Sequence, residues 1–95
     1  MRRIIDRIRS KIRDGHYVLT SHAIDEMAAD ELSEDEVEGS LLSGRIIRSQ
    51  KDRLGRRKYT VEGRTKEGRR VGTICRYSDS GERIVVITVY EVEER

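Results

Sequence analysis

Helical periodicity confined to the first 44 residues, extended runs from residue 45 onward, and short turns between those runs predict an α+β domain. The predicted architecture is a layer of N-terminal helices packed on one face of a four-stranded antiparallel sheet. Ninety-five residues allow one domain, spanning 1–95, because a second core could not bury enough surface to be stable. The apolar fraction of 35% is low, but eight glycines and strands dense in Val and Ile still permit a core.

Ile4, Ile5, Ile8 and Ile12 recur at spacings of three and four with basic residues between them, which predicts an amphipathic helix ended by Gly15. Tyr17-Val18-Leu19 is too short for a helix and reads as an extended connector or edge strand. Thr20 and Ser21 then offer oxygens to cap a second helix, which places Ala23 and Met27 on its apolar side and runs to about Asp30. Leu32-Ser33-Glu34-Asp35-Glu36-Val37 carries a capping box, Ser33 with Glu36, and a hydrophobic staple, Leu32 with Val37. A third helix starts there, buries Val37, Leu41 and Leu42, and stops at Gly44.

The extended half begins at Ile46-Ile47 and continues through Arg57 to Arg64, Val71 to Tyr77 and Arg83 to Val92. Turns fall at residues 51–55, 65–68 and 78–81, and connections this short force antiparallel neighbours. Ile84 to Val89 is apolar at nearly every position, which predicts an interior strand.

Charge is segregated along the chain. Residues 15–44 hold eight acids and no Lys or Arg, whereas residues 45–76 hold twelve Lys or Arg and three acids. A basic block of this kind is a candidate phosphate-backbone surface. No apolar run is long enough to cross a bilayer and the charged N-terminus lacks the apolar stretch of a secretory signal, so a cytoplasmic protein is expected. Cys75 is the single cysteine, which excludes an internal disulfide and a cysteine-cluster zinc site, and it reads as a small core residue. The acids of residues 25–38 have no His or Cys at ligand spacing and read as a solvated helical face; neither metal nor cofactor is expected. Glycine-rich phosphate loops, G-x-S-x-G turns and H-E-x-x-H helices are absent, so nucleotide hydrolysis, serine esterase chemistry and zinc proteolysis have no support.

His16 follows Gly15 in a turn and is expected to be exposed. His22 stands at a helix N-terminus, where the dipole disfavours the imidazolium and leaves a neutral ring able to accept a proton. The alternative is that it bonds a neighbouring backbone group and fixes the helix entry. Strand alternation puts Lys58, Thr60, Glu62 and Arg64 on one face, and Arg70, Gly72, Ile74 and Arg76 likewise. In the last strand Val85, Ile87 and Val89 form an aliphatic face for the helices, which leaves Ile84, Val86, Thr88 and Tyr90 on the other. Lys58, Arg76, Thr88 and Tyr90 would then converge around a phosphodiester. Metal-free RNA cleavage needs a base for the 2′-hydroxyl, cations for the growing phosphate charge and an acid for the leaving oxygen. The candidate catalytic set is His22, Lys58, Arg76 and Tyr90; Arg53, Arg56, Arg57, Tyr59, Arg64, Arg70 and Thr88 are the candidate RNA-binding residues.

The segment Tyr17-Val18-Leu19-Thr20-Ser21-His22-Ala23, then Met27, then residues 32–37, then Gly44 with Ile46-Ile47, resembles the bacterial and archaeal family called domain of unknown function 4258. Arg57 to Gly63, Arg70-Val71-Gly72 and Ile87-Thr88-Val89-Tyr90 resemble its strand motifs, so the likeness covers about residues 4–92. It implies a two-layer fold similar to RelE-like ribonuclease toxins and barnase. It also implies a partner, a small antitoxin, in some cases with a zinc-finger domain like the partner of MqsR. The family's histidine falls on His22, its basic-aromatic pair on Lys58 and Tyr59, and its terminal Thr-x-Tyr on Thr88 and Tyr90. The helix after His22 departs from the pattern, carrying Glu26, Asp30 and Glu31 where many relatives carry arginine. The leading expectation is therefore a toxin-type, metal-independent endoribonuclease acting on RNA. A non-catalytic module binding nucleic acid or a partner protein is the alternative, and a homodimer joined by its acidic and basic blocks is a third.

Overall fold

The computed structural model describes residues 3–93; Met1 and Arg2 of the charged N-terminal segment, and Glu94 and Arg95, lie outside the described residues. The first helix, α1 (Ile4–Arg13), buries Ile5, Ile8 and Ile12 as its spacing requires, and the chain leaves it through Gly15 in the left-handed region (φ 74°). Helix α2 (Ser21–Ala29) starts where Thr20 Oγ1 accepts the Ala23 N–H at 3.1 Å. Helix α3 (Glu34–Ser43) carries the complete capping box: Ser33 Oγ accepts from Glu36 N–H (3.1 Å), and Glu36 Oε1 accepts from Ser33 N–H (3.0 Å). Leu32 and Val37 are both buried beside it.

The strands are β1 (Tyr17–Leu19), β2 (Arg45–Lys51), β3 (Arg57–Arg64), β4 (Arg70–Tyr77) and β5 (Ile84–Glu91), in the order β1-β5-β4-β3-β2. The expected four-stranded antiparallel sheet is therefore a five-stranded mixed one. The last four strands form the antiparallel meander, and Tyr17-Val18-Leu19 adds a fifth strand, parallel to β5, with Tyr17 opposite Ile84 and Leu19 opposite Val86. Its partner lies far along the chain, and three residues carry too little pattern to announce such a pairing. The pairing explains why β5 is apolar on both faces: it lies between β1 and β4.

β1 covers only the first part of β5, and α2 covers the rest. Thr20 Oγ1 donates to Ile87 O (3.1 Å), Glu26 Oε1 accepts from Val89 N–H (3.0 Å) and Asp30 Oδ2 accepts from Glu91 N–H (3.2 Å). Glu26 and Asp30 thus satisfy backbone groups an edge strand would leave open. Glu31 turns the chain between α2 and α3 with φ 53°, and Arg69 donates to its carbonyl (3.0 Å) and to that of Asp30 (2.8 Å). The same guanidinium pairs with both Glu91 oxygens (2.8 and 3.0 Å) and with Glu36 (3.2 Å), joining the helical turn to the sheet's last strand.

The core lies between the helices and one sheet face, where Ile8, Ile12, Leu41, Val61, Val71, Cys75, Ile84, Val86 and Val89 are buried. Burial pushes the Cys75 thiol up to about 12. α3 sits directly on β3: a Cβ on Gly63 would lie 1.9 Å from the Ser40 carbonyl oxygen, and one on Gly44 would lie 2.6 Å from that atom. The aliphatic face expected in β5 is corrected here. Cys75 pairs with Val86 but Ile74 with Thr88, so Ile87 is an extra residue in a bulge. Ile84 and Val86 therefore face the helices together with Val89, while Val85, Thr88 and Tyr90 share the opposite face.

Candidate nucleic-acid interface

Cross-strand partners in an antiparallel sheet project to the same face, so the register alone lays out the face opposite the helices. Gln50 stands opposite Lys58, Arg48 opposite Thr60 and Arg45 opposite Glu62. Thr60 is in turn opposite Ile74, Glu62 opposite Gly72 and Arg64 opposite Arg70. Arg76 meets Val85, Ile74 meets Thr88 and Gly72 meets Tyr90. One face of β2, β3 and β4 thereby carries six cations, Arg45, Arg48, Lys58, Arg64, Arg70 and Arg76, against one acid, Glu62. The helices cover the other face.

The cations differ in how they are held. Arg70 pairs with Glu62 at 3.0 Å. Arg76 donates to the Tyr77 carbonyl (2.9 Å) and lies 3.8 Å from Asp79. Arg64 donates to the Gly68 carbonyl at 3.1 Å. Arg45, Arg48 and Lys58 make no ion pair among the described residues, so their charge is available to an incoming anion. At the end of the face where Ser43 and Gly44 lead into β2, Arg9, Arg45, Glu62, Arg64 and Arg70 line an open cleft of about 460 Å³. Arg9 is anchored there by a bond from its guanidinium to the Gly44 carbonyl (2.6 Å).

Tyr90 is shaped by Gly72. A Cβ at residue 72 would lie 2.1 Å from Tyr90 Cζ and 2.5 Å from its hydroxyl oxygen, so the phenol lies across the bare glycine toward β3. Burial raises the Tyr90 pKa, and the charge of Glu62 adds to that, so the hydroxyl keeps its proton at neutral pH.

Of the residues singled out from the sequence, Lys58, Arg64, Arg70, Arg76, Thr88 and Tyr90 share this face. His22 does not. It stands on α2 in the helical layer with its side chain 66% exposed, and its Nε2 lies 3.3 Å from Glu26 Oε1, the carboxylate that bonds β5. Among the described residues no hydrogen bond or ion pair joins it to Lys58, Arg76 or Tyr90. Tyr59, expected to contact RNA, is buried in the core at 9% exposure because its position in β3 faces the helices. Arg57 shares that side, donating to Ser49 Oγ (3.2 Å). Arg53 and Arg56 lie in the β2–β3 turn, where Arg53 is exposed and Arg56 pairs with Asp52 (2.9 Å) and Asp79 (3.5 Å). Burial pushes the Asp52 carboxyl up, but hydrogen bonds from Arg56 and Leu54 outweigh this and hold it below its usual value.

Sequence reasoning passed over Arg45, Arg48 and Glu62 as individual site residues. Alternation already placed Glu62 beside Lys58, but β2 shows its facing residues only once the bulge between Ile46 and Arg48 is known. No group of three or more His, Cys, Asp or Glu that could hold a metal ion occurs among the described residues.

These features define a small α+β domain with a basic, uncovered sheet face. The chain belongs to the family described as domain of unknown function (DUF4258), whose model matches residues 19–91. The match begins at the end of β1, so α1 precedes it. No curated protein and no solved structure matches the chain. No helix among the described residues is long and apolar enough to cross a membrane.

Proposed function

We propose that this domain binds RNA through the open face of its sheet. The observation that carries the reading is the six-to-one excess of cations on that face, three of them without an intramolecular ion pair among the described residues. The three helices cover the opposite face with the core; α1 is itself basic, but the eight acids of residues 15–44 all lie on α2, α3 and the turn between them, so the acidic part of the molecule is segregated from the basic sheet face. Thr88 and Tyr90 add a hydroxyl and a half-buried aromatic ring beside the cations, groups suited to sugar contacts and base stacking. The toxin-type nuclease implied by family resemblance would act on this same face, although with His22 in the helical layer that set lacks its nominated base.

Charge reversal tests the reading. The wild type should bind a fluorescein-labelled single-stranded RNA, and the double variant Arg48→Glu, Lys58→Glu should lose at least tenfold in affinity with an unchanged circular dichroism spectrum. Equal affinity of wild type and variant would remove the open face as the binding surface. A protein partner bearing an acidic segment is the rival occupant, and it would be favoured if the wild type shows no RNA binding.

A further inference from the structure

The cations of the open face are not spread evenly along it. Arg45 opens β2, Arg64 closes β3 and Arg70 opens β4, so these three meet at one end of the sheet. Arg9, half-buried on α1, reaches the same end, with its guanidinium on the Gly44 carbonyl (2.6 Å). Four guanidinium groups thus line the single open cleft of about 460 Å³, beside Glu62, which Arg70 holds at 3.0 Å. A second carboxylate, that of Asp6, lies 3.4 Å from Arg9. Lys58 and Arg76 stand six positions away from Arg64 and Arg70 on the same strands, about 20 Å at the rise of a strand. The cleft is held in place by its own backbone. Ser43 Oγ accepts from the Arg64 N–H (3.1 Å) and donates to the Arg64 carbonyl (2.9 Å). The end of α3 lies so close to β3 that a Cβ on Gly63 would be 2.8 Å from Gly44 Cα. The arginines are therefore gathered before any ligand arrives, which lowers the cost of binding.

We infer that this cleft takes the terminal phosphomonoester of a single-stranded RNA whose chain lies along the open face. The assignment rests on the reading of that face as an RNA-binding surface and deepens it. An internal phosphodiester carries one negative charge and offers two unbridged oxygens. A terminal phosphate offers three and carries a charge of about −1.5 to −2 at neutral pH. With Glu62 and Asp6 set against the four arginines, the cleft keeps an excess of two positive charges, which matches the terminal group. Guanidinium groups suit it further because each can present two parallel N–H donors to phosphate oxygens. Position favours a chain end as well. Beyond Arg64 and Arg70 the sheet gives way to the β3–β4 turn, and Arg45 is preceded by the α3 junction, so the row of sheet cations terminates in the cleft. Arg9 belongs to α1, which precedes the residues matched by the family model, so this wall of the cleft comes from outside the matched segment.

Fluorescence anisotropy with one short single-stranded RNA sequence, carrying a 5′-phosphate, a 3′-phosphate or hydroxyls at both ends, tests this. One phosphorylated form should bind the wild type at least about tenfold tighter than the hydroxyl-ended form, the gain expected from new hydrogen bonds to a charged group. Which end gains gives the direction of the chain on the sheet. Arg9→Gln and Arg45→Gln should each remove most of that gain. Arg45 is exposed and makes no ion pair among the described residues, so its variant keeps the test open should Arg9→Gln disturb the contact with Gly44. Arg48→Gln, on the same face but outside the cleft, should weaken both forms and preserve the ratio between them. A nucleoside monophosphate alone should compete only weakly, because it reaches none of the cations farther along the strands. Equal binding of all three RNAs by the wild type, a gain that survives in both cleft variants, or a mononucleotide that competes as well as the phosphorylated RNA would overturn the assignment and leave the binding surface standing. Failure of the wild type to bind any of the three RNAs would overturn both.

Discussion

Arg48 and Lys58 offer a quantitative handle on the basic face, because neither is tied into an ion pair among the described residues and both can be neutralised without orphaning a partner. Six cations and Glu62 leave a net charge of five on the face. Each phosphate neutralised on a single strand contributes about −0.7 to the slope of log K against log salt, so about five contacts give a slope near −3.5. Raising salt from about 50 to about 200 mM should then weaken wild-type binding by about 100-fold. Arg48→Gln with Lys58→Gln removes two contacts, which brings the slope to about −2 and the loss to about 20-fold over the same range. Fluorescence anisotropy with a labelled single-stranded RNA at four salt concentrations reads both slopes. A wild-type slope shallower than −1, or identical slopes for the two proteins, would refute this account of the surface.

Three further expectations concern the scaffold. Ile8→Ala, at a fully buried position between α1 and the sheet, should cost about 2–5 kcal/mol, read as a lower urea midpoint at unchanged m-value. Hydrogen bonds from the Ser33 backbone hold the Glu36 carboxyl below its usual 4.5, and those from Arg69 do the same for Glu91. Because both folded values are depressed, their stabilisation is present in full above the unfolded value and lost as pH falls through the folded one. The melting temperature should therefore hold from about pH 7 to about pH 5 and drop below about pH 4.5, less steeply in Glu36→Gln with Glu91→Gln. Cys75, buried with its thiol pushed up to about 12, should resist a disulfide-exchange reagent in the native protein and react fully in denaturant; rapid native labelling would contradict the packing.

Local chemistry was the legible part of this sequence. Ser33 and Glu36 announce α3 because a capping box acts within four residues, and the isoleucine spacing announces α1 for the same reason. Features set by partners distant in sequence were not legible. β1 becomes a strand through its parallel pairing with β5, and nothing in Tyr17-Val18-Leu19 points to Ile84-Val85-Val86. The face of β5 was misassigned because strict alternation cannot anticipate the extra residue Ile87, yet Thr88 and Tyr90 still landed opposite the core as expected. Tyr59 read as a basic-aromatic contact beside Lys58, but adjacent strand positions point to opposite faces, so one is core and the other surface. His22 carried the most functional weight in the sequence, and its ring instead meets Glu26 beside the β5 edge.

The central claim is that RNA lies on the sheet face opposite the helices, and mapping the contact residue by residue tests it most directly. Titrating ¹⁵N-labelled protein with a short single-stranded RNA should shift the amide resonances of Arg48, Lys58, Ile74, Arg76 and Thr88 while leaving those of α2 and α3 in place. Shifts concentrated on Glu34–Ser43, or none at saturating RNA, would contradict it.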